Sequence, residues 1–272
     1  ELFIDDIKII ENISPESNFV ELDSTIALAE GSHSWYVNAV DIVGNVRQST
    51  QINLLNVDLT PPESFQLFSP SDSTFSALPT PNFIWNKSSD KQSDLSHYSL
   101  WIDDILSVDN ISDTISTPSL ALTEGMHTWY VNAVDNVGNM RESSQRWHIL
   151  TEWTAPNPFD LSFPENGSKS HSSLPAFGYQ RTTDSGSGIL GYQLWIDGVL
   201  NSNLVSPMDS LVIPINPLSS GIHNWFIKAL DRAGNERVSS STWQIIIDRE
   251  GNLPPSIEAV SDQFAVEDSI YY

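Results

Sequence analysis

The side chains in this chain that can do chemistry are acids, histidines and indoles, and most of them recur at fixed places. Paired carboxylates at Asp5-Asp6 and Asp103-Asp104 suit a hard cation such as calcium. The third occurrence of that stretch reads Asp197-Gly198, a swap that a tight turn tolerates and a metal cage does not, so the turn is the stronger reading. Asp41, Asp135 and Asp231 each precede an arginine, Arg47, Arg141 and Arg237. An ion pair across a hairpin would account for both residues, at about 0–1 kcal/mol if exposed. Further calcium candidates sit where segments join: Asp58, and Asp262 with Glu267 and Asp268. His33, His127 and His223 share one repeated position on the buried face of a strand, where a core or corner role outweighs a metal or catalytic one. His97, His148 and His171 have no partner at ligand spacing. The chain contains no cysteine, no nucleophile elbow, no His-Glu-x-x-His and no phosphate-cradling glycine loop. Thiolate catalysis, disulfides and cysteine-bound zinc are thereby excluded, and no catalytic residue, metal centre or cofactor is assigned beyond those calcium candidates.

These residues are placed by a long repeat. Gly31 to Arg47 (GSHSWYVNAVDIVGNVR) returns as Gly125 to Arg141 (GMHTWYVNAVDNVGNMR) and as Gly221 to Arg237 (GIHNWFIKALDRAGNER). The shared Asp positions lie 94 (135 − 41) and 96 (231 − 135) residues apart. A period of that length is a whole domain. Within the signature His33, Trp35, Val37 and Ala39 alternate with polar and outward positions, the period-two pattern of a strand with one buried face. Asp-x-x-Gly-Asn then supplies a turn, and a return strand ends near Trp147 in copy two and Trp243 in copy three. Upstream, Leu2 to Asp6, Leu100 to Asp104 and Leu194 to Gly198 each run a short apolar strand into a two-residue turn. About seven short strands per copy and no amphipathic helix predict an all-β chain of tandem antiparallel β-sandwich domains.

Boundaries follow the same rhythm: an incomplete domain over 1–57, complete ones over 58–152 and 153–249, and the start of a further β module over 250–272. Pro61-Pro62, Pro156 with Pro158, and Pro254-Pro255 stiffen the joints, so the domains are expected to form a semi-rigid rod. Copy one begins at its third strand and the final module stops after about two, so both ends read as cut, with exposed apolar edges. No secretory leader is visible and no apolar run would span a bilayer.

Bulk composition narrows the partners. With 35 acidic against 12 basic residues the net charge is −23, which repels nucleic acid and anionic membranes, so neither binding to nucleic acid nor membrane insertion is expected. The nine Trp invite a sugar-stacking role, but Trp35/129/225, Phe3/Trp101/Trp195 and Trp147/243 recur inside strands, as core packing would produce. Trp153, in a linker, has no such counterpart.

The run Glu-Gly-x-His-x-Trp-x-Val-x-Ala-x-Asp-x-x-Gly-Asn, the Asp58-to-Pro62 linker and the Asp184-to-Tyr192 loop resemble bacterial immunoglobulin-like and fibronectin type III-like domains of surface proteins. The resemblance covers residues 1–249, and the tail from Pro254 resembles a cadherin-like module. It implies that His33, His127 and His223 stand where such domains carry a corner tyrosine, with an imidazole N–H reaching a turn carbonyl. It also implies an extracellular or cell-surface, non-enzymatic spacer or adhesive segment of a large bacterial protein. Its partners are then other domains of the same chain, with a surface glycan, a protein ligand or self-association as further options. Accessory modules of a secreted polysaccharide-degrading enzyme, and a filament joined by strand donation, are the alternatives.

Overall fold

Each long strand of the repeat forms because apolar and β-branched residues occupy every second position. The computed structural model describes residues 1–14, 16, 17, 19–23 and 25–249. The tail module expected over 250–272 lies outside the described residues, among which every regular element is a β-strand. The chain parts into two compact units, Glu1–Thr74 with Thr80–Ile149, and Phe75–Pro79 with the chain from Leu150 on.

Copy one carries β1 (Leu2–Ile4), β2 (Ile7–Ile10), β3 (Gly31–Val40), β4 (Val46–Gln48) and β5 (Asn53–Val57). They form one sheet in the order β2-β1-β3-β4, with β5 also on β3. Leu2 and Ile4 are buried, while Trp35 and Val37 are only half-buried and line an apolar groove with Phe19 and Leu55. Among the described residues copy one shows this one sheet, and a single layer cannot cover its own apolar face.

Copy two contains β6 (Leu67–Ser69), β7 (Thr74–Ser76), β8 (Phe83–Trp85), β9 (Leu95–Ile102), β10 (Ile105–Ile111), β11 (Ile115–Ser116), β12 (Gly125–Asp135), β13 (Met140–Glu142) and β14 (Trp147–Thr151). One sheet runs β10-β9-β12-β14-β7 with β13 on β12, and a second runs β11-β8-β6. Copy three repeats this with β15 (Leu161–Phe163), β16 (Ser168–Ser170), β17 (Phe177–Tyr179), β18 (Ile189–Ile196), β19 (Val199–Leu200), β20 (Leu211–Val212), β21 (Gly221–Asp231), β22 (Glu236–Val238) and β23 (Trp243–Ile247). Its sheets are β16-β23-β21-β18-β19 with β22 on β21, and β15-β17-β20. The ladders of copy three are antiparallel except β16 on β23, which is parallel.

The two layers meet through aromatic contacts. Phe83 packs on Trp129 and Phe177 on Trp225, each pair 4.7 Å between ring centroids, and all four side chains are fully buried. Trp147 and Trp243 stand edge-on to those indoles at 5.9 Å. The other recurring aromatics correct the expectation of a core role. Trp101 stacks on Tyr130 and Trp195 on Phe226 at 6.0 Å, nearly parallel, on the opposite sheet face, because Leu100 and Ile102 take the inward positions. Phe3 and Tyr36 form the same stack in copy one at 5.0 Å. Arg146 lies 3.9 Å over Tyr130 and Lys228 4.4 Å over Trp195, so cations cover this outer face.

Turn chemistry matches the sequence pattern. Asp5 and Asp6, Asp103 and Asp104, and Asp197 and Gly198 all have φ between 50° and 78°, the left-handed pair that a type I′ hairpin requires. Copies two and three each show nine strands among the described residues, against about seven expected from pattern. Part of the excess is the return strand, which breaks at a serine. Ser143 donates its N–H to the Val131 carbonyl at 2.8 Å, and its hydroxyl accepts the Val131 N–H at 3.3 Å. Ser239 does the same to Ile227. Beyond the break, Ser144 bonds the Phe65 carbonyl and Ser240 that of Phe159.

Trp129→Ala removes the largest buried side chain of copy two and is expected to cost about 3–5 kcal/mol in chemical denaturation. Trp101→Ala removes only the outer stack and should cost about 0.5–1.5 kcal/mol beyond its own burial. Equal losses for the two would contradict the assignment of inner and outer faces.

Candidate metal centre

The pleat that buries Trp129 also buries an acid. His127, Trp129, Val131, Ala133 and Asp135 occupy alternate positions on the inner face of β12, and Asp135 is only 2% exposed. Its Oδ1 accepts the backbone N–H groups of Val137 and Asn139, and its Oδ2 accepts Asn139 Nδ2 at 2.8 Å. Asp231 at the end of β21 is held alike by Gly234 and Asn235. The expected Asp–Arg pairs do not form in copies two and three. Arg141 Nε instead donates to the Pro62 carbonyl at 3.0 Å and Arg237 Nε to that of Pro156 at 2.8 Å. The turn's own N–H groups already satisfy the carboxylate, and the outward arginine reaches the linker.

Two further acids converge on Asp135. Asp58 follows β5 directly, and Asp90 lies in the loop between β8 and β9. One carboxylate oxygen from each of the three lies within 4.8 Å of the others. Two unit charges 4.8 Å apart repel by about 3.5 kcal/mol at an effective dielectric near 20, so this is the upper limit of distance and the lower limit of repulsion. Asp58 Oδ1 accepts the Thr60 N–H at 2.9 Å, whereas its Oδ2 is buried without a partner. Asp90 Oδ1 accepts the Ser93 and Gln92 N–H groups at 2.9 Å, and the Ser93 bond is the largest cause that holds its carboxyl below the ordinary range. Asn139 Nδ2 ties the Asp58 carbonyl to the same corner at 3.1 Å.

The second unit repeats the arrangement with Glu152, Asp184 and Asp231, again within 4.8 Å. Glu152 is one methylene longer than Asp58, and Gly186 makes room for it: a Cβ there would fall 1.8 Å from Glu152 Oε1. Its Oε2 accepts the Ser187 N–H. The clusters differ in one neighbour. Arg232 Nη1 donates to the Ser187 carbonyl at 3.2 Å, whereas in the first cluster neutral Asn136 donates to the Ser93 carbonyl at 2.7 Å. Among the described residues no Lys or Arg forms an ion pair with any of the six acids.

The histidines form a separate device. His33 Nδ1 lies 2.6 Å from Asp5 Oδ2, and its Nε2 lies 2.8 Å from the Ala29 carbonyl. His127 sits likewise between Asp103 and the Thr123 carbonyl, and His223 between Asp197 and the Ser219 carbonyl. For His33 and His223, with an acceptor at each ring nitrogen, the imidazolium is the form that satisfies both. The Asp5 hydrogen bond, then the Ala29 carbonyl, raises the His33 pKa above its ordinary value. For His223 desolvation is the largest influence and opposes the charge, but Asp197 and Ser219 together outweigh it and the net shift is upward. Asp5 is lowered in turn, chiefly by His33 and then by the Ser34 N–H.

The first Asp of each paired-acid turn is thus engaged by a histidine and a backbone N–H, and Asp104 pairs with Arg146 at 2.6 Å. These residues make clasped turns. The imidazole does reach a turn carbonyl, as the resemblance implied. A tyrosine reaching back along the chain is present elsewhere: Tyr98 Oη accepts the Ser88 N–H at 2.7 Å and Tyr192 Oη the Thr182 N–H at 2.8 Å. His97 faces Asp109, His148 faces Asp72 and His171 faces the Asp248 carbonyl. Of the joint candidates, Asp58 is placed in the first cluster, while Asp262, Glu267 and Asp268 lie outside the described residues. Pattern reading gave Asp90, Glu152 and Asp184 no site role, and it assigned Asp135 and Asp231 to ion pairs with arginine rather than to these clusters.

No protein-family model matches the chain, and no curated protein matches it. Among solved structures, the fibronectin(III)-like modules of Clostridium thermocellum CbhA superpose with a TM-score of 0.53 at 14% identity, covering 71% of this chain and all (100%) of theirs. The FN1–FN3 domains of chicken CNTN1 give 0.42 at 12% identity, over 79% of this chain and 75% of theirs. A Ca2+-stabilized adhesin of an Antarctic bacterium gives 0.35 at 14% identity, over 80% and 57%. The fold is therefore that of tandem fibronectin type III-like β-sandwich modules.

The histidine clasps should show themselves in pH titration. A raised imidazole stabilises the fold fully below its ordinary value near 6.5, and that contribution is lost as pH rises through the folded-state value. The lowered Asp5 contributes above about 3.9 and is lost as pH falls through its own folded value. The clasp of copy one is thus complete between about pH 4 and 6.5. NMR titration should place His33 and His223 above about 6.5, and Asp5→Asn should return His33 toward it. Ordinary midpoints in the parent chain would show that the clasp is not ionic.

Proposed function

We propose that this chain is a non-enzymatic structural or adhesive spacer segment of a large bacterial surface or secreted protein. One observation carries the reading: the residues that recur in every copy are spent on the copy itself. Trp129 and Trp225 fill cores, Asp135 and Asp231 hold turns, and His127 and His223 clasp hairpins. A repeat selected for catalysis would instead converge reactive groups on a cleft. Sandwich modules host many activities, so the fold supports this reading only together with that use of residues. Among the described residues no helix is long and apolar enough to cross a membrane. The strongly acidic surface suits a soluble segment outside the cell.

A second reading, accessory modules of a secreted polysaccharide-degrading enzyme, is favoured by Trp153. Its indole is 45% exposed, unlike the buried Trp129 and Trp225.

Two measurements separate the readings. The purified chain is expected to show no saturable retention on a polysaccharide array. In the protein that carries it, exchanging residues 58–249 for two unrelated sandwich modules of equal length should preserve adhesion. Saturable glycan binding that disappears in a normally folded Trp153→Ala variant would replace the spacer reading with the second one. Loss of adhesion after the exchange would show that these copies make the contact themselves.

A further inference from the structure

The first acidic cluster needs a cation from outside the chain. Asp58, Asp90 and Asp135 bring three carboxylate oxygens within 4.8 Å of one another, close enough for all three to reach one ion at about 2.4 Å. Asp135 is 2% and Asp58 9% exposed, so bulk water screens neither well. Hydrogen bonds from Thr60, Val137, Asn139, Gln92 and Ser93 engage Asp58 Oδ1, both oxygens of Asp135 and Asp90 Oδ1. They do not reach Asp58 Oδ2, which is buried and without a partner. A buried carboxylate oxygen is ordinarily paired or bound to a metal. The second cluster has an alternative, since Glu152 Oε2 is capped by the Ser187 N–H and the Arg232 guanidinium sits on the Ser187 carbonyl. In the first, the corresponding neighbour is neutral Asn136.

The geometry points to a calcium site formed by Asp58, Asp90 and Asp135. All three ligands are hard carboxylate oxygens, with no imidazole or thiolate among them, which selects calcium or magnesium over zinc or copper. Three carboxylates exceed the one or two with which octahedral magnesium is usually held, and half-buried Asp90 leaves one side for the waters that complete a six- to eight-fold shell. The ligands come from the segment after β5, the β8–β9 loop and the end of β12. The ion therefore ties the segment that follows β5 to the β8–β9 loop and to the end of β12. This site is independent of the spacer reading, and either can fail alone.

Isothermal titration of the chelator-stripped 272-residue chain with CaCl2 is the test, with MgCl2 and KCl as comparisons. Calcium is expected to bind at or below about 1 mM, with magnesium weaker, and to raise the melting temperature of the first unit. Asp58→Asn keeps the Thr60 acceptor and should weaken that event at least tenfold. Asp90→Asn, which keeps its own backbone bonds, should do the same and serves if Asp58→Asn does not fold. Glu152→Gln should leave the event in place. Undiminished calcium binding in either folded Asp variant, equal affinity for magnesium, or no uptake by the parent up to 10 mM would each overturn the assignment.

Discussion

The pleat of one long strand governs this structure. In β12 and its counterpart β21, side chains two apart share a face, so a single row carries the clasping histidine, the core indole, Val or Ile, Ala and finally an acid. The row cannot be altered piecemeal. A one-residue slip would expose Trp129 and release Asp135 and His127 together. The core and both polar devices thus share one geometric cause. The two-residue turn after β9 or β18 holds the neighbouring strand in register, since Ile102 pairs with Ile105 and Ile196 with Val199.

Most of the architecture was legible because it rests on short-range rules. Alternation in the repeated signature specifies a strand, and Asp-Asp or Asp-Gly specifies a turn with two left-handed residues. The acidic cluster was harder to read. Asp58 could be named from its place at a joint, but its partners were not: Asp135 was assigned to an ion pair with Arg141, and Asp90 was given no role. A signal was present. Asp135 lies in phase with Trp129 and Ala133, so the same alternation that predicts their burial predicts its own. Asp58, Asp90 and Asp135 also find acids at Glu152, Asp184 and Asp231, which no turn requires of all three. What pattern cannot supply is the convergence of three segments remote in sequence.

The aromatic residues show a related ambiguity. Recurrence within strands marks a position as structural without saying which face it occupies. Trp129 and Trp101 both recur, yet one lies at the centre of the core and the other stacks against Tyr130 under a guanidinium on the outer surface. Counting phase from Leu100 and Ile102 separates them, because the smaller aliphatic residues occupy the inward positions of β9. Copy one carries the same signature on a single sheet, and there Trp35 is left half-covered.

Copy three ends in a way that bears on how it would carry load. The edge strand β16, which follows β15, runs parallel to the last strand, β23, with Ser168, Lys169 and Ser170 opposite Ile245, Ile246 and Ile247. Tension that passes through β16 and β23 toward the two ends of the copy would pull these neighbours in opposite directions along their length. Their ladder bonds are then strained side by side and in shear, and must give way together. An antiparallel hairpin gripped at its open end would unzip bond by bond. The one parallel ladder of this copy, among the described residues, would thus resist such tension as a unit.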